Sequence, residues 1–137
     1  MAVFVISEFN APVSQVWDAI TNPNHMKQWY FEDMQDFKTE VGFKTTFVMQ
    51  SDKRTFTATW EVTEVIPEQS ITYVWTYAEY EGAGPVTFKL EAIEKGTKLT
   101  VINEGLESFP DDVDKFTDKS CEAGWQYFLN NRLASYL

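Results

Sequence analysis

The stretch NPNHMKQWYF, residues 22–31, holds His25, the one histidine of the chain, and Cys121 is the one cysteine. Any Ser–His or Cys–His pair must therefore use His25, and any thiolate must come from Cys121. A zinc site needs four ligands, or three and an open position. This chain offers two soft ligands in separate elements, so no metal-ligating set is read. The acidic run PDDVD lacks the ligand spacing and the turn glycine of a calcium loop. There is no G-x-S-x-G, and Cys121 sits on a mostly apolar helical stripe, where cysteine behaves as a small hydrophobe. Glu61, Glu79 and Glu104 read as solvated carboxylates on outer strand faces, although a one-residue change of register would turn them inward. No catalytic residue, metal or cofactor is assigned.

The aromatic side chains carry more information. Aromatics make up 16% of the chain, more than a core of this size needs. Trp60, Tyr73, Trp75 and Tyr77 fall on inward faces of strands, opposite Trp125 and Phe128 of the last helix, with Trp17 and Trp29 closing one end. Such a set either packs a thick core or lines an apolar pocket with a few polar groups. Gly124 stands inside a helix, where it costs about 1 kcal/mol relative to alanine. That cost implies either close helix–sheet approach or room for a ligand. Arg132, at the edge of the same stripe, either meets an anionic ligand group or simply complements the helix C-terminus. With Cys121, these residues are the candidate ligand-binding set.

The elements that must position them follow from periodicity. Residues 2–9 alternate as a strand. Asn10 and Pro12 open a short amphipathic helix carrying Val13, Val16, Trp17 and Ile20. Asn22 and Pro23 cap a second, with Met26, Trp29 and Tyr30 on one face. From about 36 to 107 the period is two. IPEQS, EGAGP and EKGT mark turns, and one face is apolar while the other is rich in Thr, Lys and Glu, as in an antiparallel sheet with one buried side. A helix is expected from about Asp111 to Tyr136, with Asp111 and Asp112 in its first turn. The class is α+β: a curved antiparallel sheet with a long C-terminal helix across its concave side, and two short helices after the first strand.

The 137 residues suit a single domain, 1–137, and the net charge of −10 repels phosphate backbones and anionic membranes. Neither nucleic acid nor membrane is expected as a partner. A lone cysteine, with no signal peptide or membrane span in the pattern, suits a reducing, cytoplasmic setting.

Four segments in order, APVSQVWDAITNP followed by a tryptophan, VIPEQSITYVW, GTKLTVINEG and GWQYFLNNRLASYL, resemble the activator of heat-shock-protein-90 ATPase homologue family of the START-like (SRPBCC) superfamily. The resemblance runs from about Phe4 to Leu137 and implies a helix-grip fold, in which the sheet grips the C-terminal helix around a hydrophobic cavity. Together with the converging aromatics, it points to binding of a small hydrophobic ligand, lipid-like or aromatic. The superfamily also offers a cyclase-like enzyme using Tyr73 or Tyr77 as proton donor, and an interaction domain that modulates a chaperone ATPase.

Overall fold

The computed structural model describes residues 2–32, 34, 36–51, 54–110, 112–113 and 116–137, with Gln50 and Ser51 as main chain only. Strand β1 (Val3–Phe9) alternates strictly, burying Val3, Val5, Ser7 and Phe9 and exposing Phe4, Ile6 and Glu8. Helix α1 (Val13–Thr21) buries Val16, Ala19 and Ile20. Helix α2 (Pro23–Trp29) starts as its sequence requires: Pro23 takes the first turn and the Asn22 side chain accepts from the Asn24 N–H.

Five strands follow as an antiparallel meander: β2 (Lys44–Ser51), β3 (Arg54–Ile66), β4 (Ser70–Tyr77), β5 (Tyr80–Ile93) and β6 (Gly96–Asn103). The six-stranded sheet has the order β1-β6-β5-β4-β3-β2, so β1 returns to pair with the last strand. Phe56, Ala58, Trp60 and Val62 of β3 point inward with Ile71, Tyr73 and Tyr77 of β4 and Val86, Phe88 and Leu90 of β5. Irregularities between Val62 and Glu64 and between Trp75 and Tyr77 interrupt the ladder. Such bulges bend the strands and increase the twist that lets a sheet wrap around a helix.

Two sequence expectations are corrected. EGAGP is not a turn. It lies within β5, where four steps from Tyr80 to Gly84 oppose two steps from Tyr77 to Trp75, and the turn falls instead at Ala78 and Glu79. Its glycines serve close packing: a Cβ on Gly82 would stand 2.6 Å from the Ser108 carbonyl oxygen, and one on Gly84 would stand 3.0 Å from the Phe109 ring. Ser108, in a 3-10 turn (Leu106–Ser108), accepts from the Ala83 N–H at 2.9 Å and donates to the Gly105 carbonyl at 2.6 Å.

The C-terminal helix begins at Asp118, not Asp111. Its α segment α3 (Asp118–Gln126) is capped by Thr117, whose hydroxyl accepts from the Ser120 N–H at 3.2 Å. Asp111 lies outside the described residues, and Asp112 is an exposed turn residue. Val113, within the span expected to be helical, is instead buried from an irregular approach segment, as is Phe116. Burying their side chains outweighs extending the helix toward the acidic run. After Gln126 the helix widens into a π segment (Tyr127–Leu133) and closes with a last α turn, α4 (Ala134–Tyr136). Trp125, Leu129 and Leu133 form its buried line.

Candidate functional site

The aromatic side chains separate into two groups. Around α2 they are solid core. Tyr30 stacks on Trp29 (ring centroids 4.6 Å) and on Trp60 (5.2 Å), and Trp60 stacks on Tyr73 (4.7 Å). Trp29 is 0% exposed, and its indole N–H donates to the Ala19 carbonyl at 2.7 Å. The hydroxyls of Tyr30 and Tyr73 meet at 3.0 Å, and burial pushes both phenol pKa values well above the ordinary range. This pair is neutral. Trp17 is half-buried against the edge of this core.

Toward the other end the packing opens. A pocket of about 140 Å³ lies between the inner sheet face and α3. Trp75, Tyr77 and Gly84 come to it from the sheet, and Cys121, Gly124, Trp125 and Phe128 from the C-terminal helix. Leu106, Phe109 and Phe116 of the approach segment, with Phe31 after α2, complete the apolar wall, and Asn103 and Ser120 add polar groups. Phe109 and Phe116 stack at 4.7 Å, and Tyr77 lies 5.1 Å from Phe116. Burial, and secondarily the charge of Cys121 when ionised, raises the Tyr77 phenol, so it stays protonated. Gly124 borders open space: an added Cβ would meet no heavy atom within 4 Å. Of its two sequence readings, the structure supports room over close approach.

Of the residues singled out in the sequence, the pocket thus gathers Trp75, Tyr77, Cys121, Gly124, Trp125 and Phe128. Trp29, Trp60 and Tyr73 lie in the packed core, and Trp17 at its edge. Arg132 is turned to another task, donating from Nη2 to the Gln28 carbonyl at 2.8 Å and tying the C-terminal helix to α2. His25 is a surface link: Nε2 lies 3.0 Å from Asp18 Oδ2, and Nδ1 meets the Tyr136 hydroxyl. The indole N–H groups of Trp60 and Trp75 close no hydrogen bond among the described residues, although Trp75 lies near enough to the Tyr73 hydroxyl to favour its ionised form slightly.

Phe31, Gly84, Asn103, Leu106, Phe109, Phe116 and Ser120 were not picked out from the sequence. Strand parity alone would have found Asn103, which continues the inward series Thr97, Leu99, Val101. Among the described residues no three His, Cys, Asp or Glu side chains group to hold a metal ion, and no helix is long and apolar enough to cross a membrane.

The family model described as Activator of Hsp90 ATPase homolog 1-like protein matches residues 10–137. The chain belongs to that family. Members of this START-like group share the fold described above, and solved structures repeat it. Protein CV1439 from Chromobacterium violaceum superposes with a TM-score of 0.81 at 21% identity, covering 98% of this chain and 94% of its own. MLL2253 from Mesorhizobium loti gives 0.79 at 25% identity, covering 99% and 96%. DynU16, a protein of the dynemicin biosynthetic locus, gives 0.75 at 27% identity over 98% of this chain, which spans 46% of the larger protein. No match is found among proteins of curated function.

Proposed function

We propose that this chain binds a small hydrophobic or aromatic molecule in the pocket between the sheet and the C-terminal helix. The observation that carries the reading is the wall itself, in which aromatic rings from separate segments converge beside a helical glycine that borders open space. The volume, about 140 Å³, is close to that of an engineered apolar cavity of about 150 Å³ that takes up benzene. Binding is favoured over catalysis because, among the described residues, no Glu, Asp, Arg, Lys or His lines the pocket to give Tyr77 a charged partner for moving a proton. The alternative proton donor, Tyr73, is committed to Tyr30. A role in modulating a chaperone ATPase rests on the family alone.

The test is a titration of the purified chain with toluene, naphthalene and a medium-chain fatty acid. It is followed by tryptophan emission, since Trp75 and Trp125 stand in the wall, and by native mass spectrometry. Saturable emission changes with a one-to-one mass adduct are expected. Absence of both with all three probes would overturn the reading.

A further inference from the structure

Strand β6 alternates so that Thr97, Leu99, Val101 and Asn103 face inward. Thr97 is satisfied, its hydroxyl donating to the Ala11 carbonyl at 2.7 Å. Asn103 is not. Its main chain is held between Val3 of β1 and Val86 of β5, and only 8% of the residue is exposed. Yet among the described residues its carboxamide has no hydrogen-bond partner, and it forms part of the pocket wall. A leucine or valine would continue the inward apolar series there without loss. Unlike the sealed indole N–H groups of Trp60 and Trp75, its amide atoms keep access to the pocket space, so this polar group, held in an apolar wall without a protein partner, is open to a ligand.

The surroundings narrow what that partner is. A carboxamide offers donor and acceptor side by side. The Tyr77 phenol in the same wall is neutral, none of the described side chains of the wall is ionic, and the chain carries a net charge of −10. An anionic ligand would enter with no cation to meet it. Resting on the pocket reading above, we infer that Asn103 is the specificity-determining residue of the site, pairing through its carboxamide with a neutral aromatic molecule. That molecule presents an adjacent acceptor and donor, as in an aryl carboxamide, a lactam or a hydroxy-carbonyl. The apolar wall takes the ring and Asn103 sets its orientation, a division of labour general to small-molecule pockets.

The experiment titrates the full chain and its Asn103→Leu variant with benzamide, benzoate and toluene, followed by tryptophan emission and amide NMR shifts. For the unaltered chain, benzamide is expected to bind at least about tenfold more tightly than benzoate, and more tightly than toluene. Asn103→Leu is expected to weaken benzamide about tenfold while toluene binds as well or better, inverting their order. Asn103→Ala, which adds no bulk, should also lower the benzamide-to-toluene preference, so the result does not depend on how leucine packs. A preference for benzamide over toluene that is unchanged in both variants would overturn the inference and leave the pocket standing. Failure of all three probes to bind the unaltered chain would remove the pocket reading and this inference together.

Discussion

Gly124→Ala should make the protein more stable and its pocket less receptive. The glycine lies inside α3, is absent from the residues of positive φ, and an ideal Cβ at this position meets no heavy atom within 4 Å. Alanine therefore gains the helical preference of about 0.5–1 kcal/mol with no steric term to offset it. For a chain of this length that corresponds to a rise of about 2–5 °C in Tm. The added methyl stands in the wall of a pocket of only about 140 Å³, so a ligand that fills the site must move or compress. Overpacking of that kind costs about 1 kcal/mol, roughly a fivefold loss of affinity. Gly124→Leu extends the series and should abolish binding while the fold persists. Scanning calorimetry gives the first quantity, and titration with toluene by tryptophan emission gives the second. A lower Tm for Gly124→Ala would mean that the position is a contact and not a space. Unchanged toluene affinity in the leucine variant would mean that the ligand sits elsewhere. Either result would refute the reasoning.

Trp29→Ala should cost about 3–5 kcal/mol in urea unfolding, because the residue is fully buried, stacked and hydrogen-bonded, whereas His25→Ala, at a surface ion-pair link, should cost under about 1 kcal/mol. Tyr30→Phe should cost about 1–3 kcal/mol by leaving the Tyr73 hydroxyl unpaired, and adding Tyr73→Phe should cost less than the two single changes summed, as read from a double-mutant cycle. Glu79 accepts from the Thr57 N–H at 2.7 Å and the Thr57 hydroxyl at 2.5 Å, which holds its pKa below the ordinary 4.5. Its contribution to stability is therefore present above about pH 4.5 and lost as pH falls through the lower folded value, so Glu79→Gln should flatten that part of the acid limb in pH-dependent thermal melts.

Local rules made most of the frame legible. The alternation in VFVISEF and TFTATWEV states which residues face inward, and Asn22-Pro23 states where a helix starts. Where the reading departed from the structure, contacts distant in sequence had decided the outcome. Nothing near EGAGP announces that Ser108 will hold Ala83 in place, so glycines that permit close packing look like glycines that permit turns. The acidic residues before the last helix resemble a first turn. Thr117 supplies the cap that sets the start, and Phe109 and Phe116 draw the preceding chain inward. Within the candidate site, strand parity brought Trp75 and Tyr77 to the same face as Trp60 and Tyr73. It could not say which of the four would meet open space, because that depends on where Phe31 and Phe116 arrive from their loops.

The π segment at Tyr127–Leu133 has a consequence for how this helix can change over generations. Its wider turns, bonded to the fifth carbonyl back, hold more residues per turn than an α-helix over the same span. A single-codon deletion there would relax the bulge to ordinary α geometry and let Trp125 before it and Ala134–Tyr136 after it keep their directions. Asn131, exposed on the outer side, is the residue such a deletion would remove at least loss. The helix against which the pocket is built therefore holds one residue more than α geometry over the same span would need.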